Sequence, residues 1–180
     1  MRPRPGSIGS GVPVEDLGDD ARDLAPDAFR ERHGDGFLLI TAARVTVRTG
    51  DRTTCLQLDG EGDPDGRTAD LAIVIYPLRG PQGVPADIVT LGRESRHDVV
   101  IPDASVSRFQ AFLKRDGSGR FRIQDVESTN GTAVNGTSVP SRGAGDPVVL
   151  KPGDTVRLGQ VEATFTDAHG LQSFVRSTVG

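Results

Sequence analysis

Short runs of β-branched and apolar residues, separated by turns rich in Gly, Pro, Asp and Asn, limit what this chain can become. They are FLLIT (37–41), RVTVRT (44–49), TTCLQLD (53–59), LAIVIYPL (71–78), ADIVTLG (86–92), HDVVI (97–101), FQAFLKR (109–115), RFRIQDV (120–126), TAV (132–134), PVVL (147–150), DTVRLG (154–159) and VEATFTD (161–167). Runs of that length, recurring at intervals of about ten residues, are strands of a sandwich or barrel and leave little room for helix. Gly50-Asp51 and Asp116-Gly117-Ser118-Gly119 supply turns between neighbours, and RFRIQDV alternates so that Phe121, Ile123 and Asp125 share one side of the pleat. LAIVIYPL does not alternate, which predicts a strand covered on both faces, with the N-terminal strands as one cover. The fold class is all-β.

One helix is legible. In APDAFRERHG, Pro26 suits the first helical position, Asp27 the positive end of the dipole and Gly34 the residue past the end, so a short helix is expected over 26–33. Residues 1–18, rich in Gly, Pro and Ser and without periodicity, read as a disordered tail. Residues 19–70 read as an N-terminal extension of helix and strands ending in the acidic loop 60–70, residues 71–168 as the main β domain, and 169–180 as a C-terminal tail. Charge follows this division. Residues 1–70 hold 9 Arg against 14 Asp and Glu, whereas 71–168 balance 11 basic with 11 acidic residues. A net charge of −4 lacks the basic face that general nucleic-acid binding needs. A single cysteine, Cys55, permits no intrachain disulfide and suits a reducing compartment. With no apolar stretch near 18 residues and no signal-like N-terminus, the expectation is a soluble cytoplasmic protein with no membrane partner.

The stretch DVESTNGTAVNG (125–136) contains two Asn-Gly pairs. The second, Asn135-Gly136, joins two β-branched runs and reads as a type I′ hairpin turn. The first closes no hairpin. With Gly92-Arg93 upstream, Ser107-Arg108-Phe109-Gln110 next, Asp125-Val126-Glu127-Ser128-Thr129-Asn130-Gly131-Thr132 and then Asn135-Gly136, the order of elements resembles a forkhead-associated (FHA) domain. PGDTVRLG (152–159) resembles that family's penultimate strand, and the resemblance spans about 71–168. It implies a β-sandwich of about eleven strands, here with a short N-terminal helix and extra strands, that binds phosphothreonine peptides.

The chemistry is consistent with that implication. A phosphothreonine carries about −1.5 to −2 charges and three acceptor oxygens, so its site needs a guanidinium fork and neutral donors on loops of a rigid scaffold. The resemblance implies phosphopeptide-binding roles for Arg93, Ser107, Arg108, Thr129 and Asn130 and loop-structuring roles for Gly92, Gln110, Ser128, Gly131 and Asn135. Thr129 would donate its hydroxyl to phosphate, Asn130 would hold the peptide backbone, and Ser128 would brace the loop. Blander readings stand beside these: a solvated surface arginine for Arg93, a turn-capping hydroxyl for Ser107, and a positive-φ loop residue for Asn130. For Arg108, a phosphate contact and an ordinary surface arginine both remain open.

Gln110 is the main departure, because the family usually has a structural His there. A flexible amide predicts a weaker, more mobile bridge between the loops. His97-Asp98 and Ser107 do not make a nucleophilic triad, since adjacent strand residues point to opposite faces. His33, His97, His169 and Cys55 have no metal-ligand spacing, so no metal, cofactor or catalysis is expected. The resulting expectation is a non-enzymatic phosphothreonine-reading adaptor. Its partner would be a threonine-phosphorylated protein, with a Ser/Thr kinase and a kinase substrate both candidates. The alternative is a phospho-independent interaction module with a degenerate site, and Gln110 favours it.

Overall fold

The computed structural model describes residues 11–45, 55–57, 70–79 and 87–179. Expectations that fall elsewhere, including the Gly50-Asp51 turn, the acidic loop up to residue 69 and the first ten residues of the tail, lie outside the described residues. Helices are α1 (Gly18–Asp23), α2 (Pro26–His33) and α3 (Ala168–Val179), with a 3-10 turn over Val14–Leu17. Strands are β1 (Val12–Pro13), β2 (Gly36–Val45), β3 (Cys55–Gln57), β4 (Asp70–Pro77), β5 (Ile88–Gly92), β6 (Val99–Val100), β7 (Ala111–Arg115), β8 (Phe121–Asp125), β9 (Thr132–Val134), β10 (Thr137–Ser138), β11 (Val148–Val149), β12 (Thr155–Leu158) and β13 (Val161–Asp167).

Two sheets pack face to face. One runs β1-β4-β2-β13-β12-β9-β10, with β3 added on β2, and the other runs β11-β8-β7-β5-β6. Pairing is antiparallel except for β5 with β6, where Leu91 faces Val99 and Gly92 faces Val100. Between the sheets lies a core that includes Leu38, Ile40, Val74, Tyr76, Leu91, Leu113, Ile123, Val156, Leu158 and Phe165. The all-β sandwich read from the sequence is the observed fold, and α2 occupies the expected residues with Pro26 in its first turn and Gly34 beyond its end.

Several local expectations are corrected. FLLIT and the start of RVTVRT form one continuous ten-residue strand, β2, because the Ala42-Ala43 step between them keeps pairing with Ala72 and Leu71 of β4. LAIVIYPL is covered on both faces, but the N-terminal strands are its neighbours within the sheet. The outer cover is helical. Phe37 and Ile75 turn away from the sandwich into a second apolar cluster with Val14, Leu17, Ala21, Phe29, Ala168, Leu171 and Val175. Alternate residues of β2 and β4 therefore serve two cores, which is why neither run shows a polar face.

That second core also changes the reading of both ends. Val12 and Pro13 pair with Ile75 and Val74, and Val14 and Leu17 are buried, so the stretch 12–17 expected as part of a disordered tail is ordered. The expected C-terminal tail is the helix α3. Its Gln172 amide donates to the carbonyls of Ala21 and Leu24 at 3.1 and 2.8 Å, and Arg176 donates to the same two carbonyls. These are carbonyls at the end of α1 that its own ladder leaves open. The division at residue 70/71 falls within the β2–β4 pairing, so the N-terminal strands are part of the sandwich sheet.

Candidate functional site

Three loops meet at one end of the sandwich: 93–98 after β5, 101–110 between β6 and β7, and 126–131 between β8 and β9. Backbone hydrogen bonds tie them together. Arg93 N–H donates to the Ser107 carbonyl at 3.0 Å, Gln110 N–H to Leu91 at 2.9 Å, Val126 N–H to Gln110 at 3.3 Å, and Gly159 N–H to Gly131 at 3.0 Å. Gly92 is where the first two loops cross. A Cβ there would collide with the Arg108 carbonyl oxygen and sit 2.7 Å from the His97 ring. The expected need for a bare backbone at 92 is met by a neighbouring loop. Gly131, at φ 76°, turns the third loop back toward β9.

Beneath the loops Gln110 is fully buried. Its Oε1 accepts the Ser107 N–H at 2.8 Å, and its Nε2 faces the Ser128 hydroxyl, the Gly131 carbonyl and the Thr132 hydroxyl at 2.8, 2.9 and 3.0 Å. The two fixed partners orient the amide: a backbone N–H must meet the oxygen and a backbone carbonyl must meet the nitrogen. The Ser128 and Thr132 hydroxyls in turn donate to the Asp125 carboxylate at 2.6 and 2.7 Å, which also accepts the Ser128 N–H and the Ser141 hydroxyl. Burial pushes the Asp125 carboxyl up, but these donors outweigh it and hold the group below the ordinary carboxylate range. Where the sequence predicted a weaker, more mobile bridge at Gln110, the structure shows a fully buried amide with every polar atom bonded.

Above this network lies an open cleft of about 480 Å³, lined by Arg93, Arg96, Ser107, Arg108, Thr129 and Asn130 among others. The five expected phosphopeptide-contacting residues come together here. The Ser107 hydroxyl accepts the Thr129 N–H at 2.9 Å, and the Asn130 amide donates to the Ser105 carbonyl at 2.8 Å, so each stitches one loop to another. Positive φ falls on Glu127 (63°) and Gly131, and the positive-φ reading of Asn130 is corrected. The guanidiniums of Arg93 and Arg108 and the Thr129 hydroxyl are engaged by no partner among the described residues, while Arg96 Nε is 2.8 Å from Glu94 Oε2. Ser128 braces the loop through Asp125. Asn135, with φ 50°, bridges its turn to Asp154 and Thr155.

Sequence reasoning missed Arg96, Ser105, Phe109 and Glu127 in the cleft, and Asp103 and Asp125 beneath it. Ser105 sits on the Asp103 carboxylate at 2.6 Å, and its hydroxyl accepts the Gln160 N–H at 2.9 Å, linking the second loop to the β12–β13 turn. Asp125 had a signal: a carboxylate ahead of Ser128 and Thr132 in a strand expected to point inward. Arg96 and Glu127 had none, being ordinary charged residues in loops. The rejection of a triad stands on geometry as well, because Asp98 is bonded to Thr90 at 2.8 Å and the His97 ring stacks on Phe109 with centroids 4.8 Å apart.

Residues 89–159 match the family model of the FHA domain. Three curated relatives show the range. The ABC transporter ATP-binding/permease protein Rv1747 of Mycobacterium tuberculosis is 35% identical over 94 residues, covering 52% of this chain and 10% of that protein. The glycogen accumulation regulator GarA of Mycolicibacterium smegmatis is 32% identical over 110 residues, covering 58% and 62%. The oxoglutarate dehydrogenase inhibitor of Corynebacterium diphtheriae is 38% identical over 79 residues, covering 43% and 50%. The chain therefore spans less than two thirds of each of these relatives. Among solved structures, the FhaA FHA domain complexed with the intracellular domain of Rv3910 is 25% identical with a TM-score of 0.43, covering 72% of this chain and 98% of that one. Among the described residues no helix is long and apolar enough to cross a membrane, and no group of side chains could hold a metal ion.

Proposed function

We propose that this chain, which carries an FHA domain, a module of the phosphothreonine-binding kind, is a non-enzymatic adaptor that reads threonine-phosphorylated partners of Ser/Thr kinase signalling through the cleft at Arg93. The observation that carries the reading is the state of the cleft. Two guanidiniums and a threonine hydroxyl are left uncommitted on loops that are otherwise bonded to one another. Arg93 and Arg108 together supply +2, which matches a phosphate of about −1.5 to −2. The Thr129 hydroxyl donates to a phosphate oxygen. Asn130, with its Nδ2 held by Ser105, presents its Oδ1 to a peptide N–H. Because the loops are fixed beforehand, little ordering free energy is spent on binding.

A phosphopeptide of a few residues buries less than the roughly 1,200 Å² of a stable interface, so the complex is transient. Micromolar affinity, about −8 kcal/mol, is within reach of a few charge-assisted hydrogen bonds of about 1.5–3 kcal/mol each. We place the protein in the cytoplasm, where such partners and a lone cysteine coexist. Gln110 had favoured the phospho-independent alternative, and its bonding into the loop network supports the phosphothreonine reading instead.

Isothermal calorimetry with a phosphothreonine peptide, its unphosphorylated form and the Arg93→Ala variant tests the reading. Binding is expected only for the phosphorylated peptide, and Arg93→Ala should cost at least tenfold in affinity while its thermal melt stays unchanged. Equal affinity for both peptides would refute phosphothreonine reading and move the function to a phospho-independent surface.

A further inference from the structure

The charges of the cleft do not all find a use in phosphate binding. Its lining holds Arg93, Arg96, Arg108 and one carboxylate, Glu127. Arg96 and Glu94 neutralise each other through their 2.8 Å contact, and Arg93 with Arg108 matches the phosphate. Glu127 remains. It is exposed, and its carboxylate has no hydrogen bond or ion pair among the described residues.

Its backbone sharpens the question. Asp125 grips the Ser128 N–H and hydroxyl, and this tight turn sets Glu127 at φ 63°, where a residue with a Cβ is strained. The same loop uses glycine at its other positive-φ position, Gly131. The remaining non-glycine case, Asn135, has a side chain that bonds Asp154 and Thr155 and so has an internal reason to be there. Glu127 has no such internal use. What it adds over glycine is a negative charge in the cleft, two residues from Thr129. Strained residues of this kind concentrate at ligand sites.

We propose that Glu127 is a specificity-determining residue that selects phosphothreonine peptides carrying a Lys or Arg close to the phosphothreonine and disfavours those with acidic or further phosphorylated neighbours. This rests on the phosphothreonine reading above. A basic side chain pairs with the free carboxylate, whereas a second anion meets it as a like charge, so discrimination comes from attraction and repulsion together.

The test uses the full chain and a set of phosphothreonine peptides, identical except for Ala, Lys or Glu scanned through the flanking positions, with affinity read by fluorescence anisotropy. At low salt the wild type should prefer Lys over Glu by roughly five- to tenfold at one flanking position or more, and the preference should shrink as salt is added. Glu127→Gln should collapse that ratio toward one and tighten the Ala peptide slightly, because a charge repelling the phosphate is gone. Glu127→Gly should collapse it too and also raise the melting temperature by relieving the positive φ, which separates specificity from a loop-shaping role. Binding of the Ala peptide with no charge preference, or a preference that survives in both variants, overturns this inference alone. Failure of the Ala peptide to bind at all overturns the phosphothreonine reading and this inference with it.

Discussion

Replacing Gln110 by Ala removes the side chain that joins the second loop to the third, and the structure allows the cost to be worked out group by group. The Ser128 and Thr132 hydroxyls keep Asp125 as a partner, and the Gly131 carbonyl still accepts the Gly159 N–H at 3.0 Å. Only the Ser107 N–H, now bonded to Gln110 Oε1 at 2.8 Å, is orphaned. One orphaned donor costs about 1–3 kcal/mol, and the lost amide donors add roughly 1 kcal/mol more. The total is about 2–4 kcal/mol, a large part of the ~5–15 kcal/mol by which such a domain is stable. The melting temperature should fall by roughly 5–15 °C. Gln110→His gives a contrasting expectation. An imidazole offers one acceptor for Ser107 N–H and one donor for the hydroxyl and carbonyl side, which is enough to leave no buried group unpaired. It should cost under about 1 kcal/mol, with phosphopeptide affinity kept or improved. Urea unfolding of both variants, with calorimetric affinity for one phosphopeptide, measures this. If Gln110→Ala loses less than about 0.5 kcal/mol, or if His is as damaging as Ala, the amide is not the keystone that its hydrogen bonds indicate.

Asp125, depressed by its donors despite burial, contributes stability that is present above an unfolded carboxylate pKa of about 3.9 and is lost as pH falls through its lower folded value. Asp116 follows the same rule, its hydrogen bonds to Arg120, Ser118 and Arg122 overcoming desolvation to bring it to about 2. Acid titration of the wild type should therefore show stability falling below about pH 4, and Asp125→Asn should flatten that limb while lowering stability at pH 7. Phosphopeptide affinity should weaken as pH drops through the phosphate's second pKa of about 6, since the arginines keep their charge; flat affinity from pH 7.5 to 5.5 would argue against a dianion-reading cleft. Leu171→Ala, at a fully buried position under the helices, should cost about 2–5 kcal/mol in chemical unfolding yet leave peptide affinity intact, because that cluster is separate from the cleft. Gly92→Ala should weaken phosphopeptide binding at least tenfold, because the Cβ must push the Arg108 backbone away and Arg108 with it.

Local chemistry by itself determined the α2 boundaries, the Asn135-Gly136 turn and the approximate positions of most strands from 71 on, though not that 37–45 form a single strand. Pro26, Gly34 and Asn-Gly act through their own backbone preferences, which no distant contact needs to supply. The motif residues 92–93, 107–110 and 125–131 carried the resemblance to FHA domains, and the tertiary structure brings Arg93, Ser107, Arg108, Thr129 and Asn130 to one cleft. What the sequence could not show was decided by partners far along the chain. Residues 12–17 look like a tail because their few apolar side chains have nothing local to bury against. They are ordered by β4, with which Val12 and Pro13 pair, and by α3, which begins more than 150 residues later and is in turn held by carbonyls of Ala21 and Leu24. The apolar outer face of β2 and β4 was visible as a lack of alternation, but its cover could not be named, since periodicity reports that a face is buried and not what buries it. Gln110 shows the same limit at the scale of one side chain. Read alone it is a flexible amide, and it becomes a rigid joint only where Ser107, Gly131, Ser128 and Thr132 surround it, an arrangement that exists only once both sheets have closed.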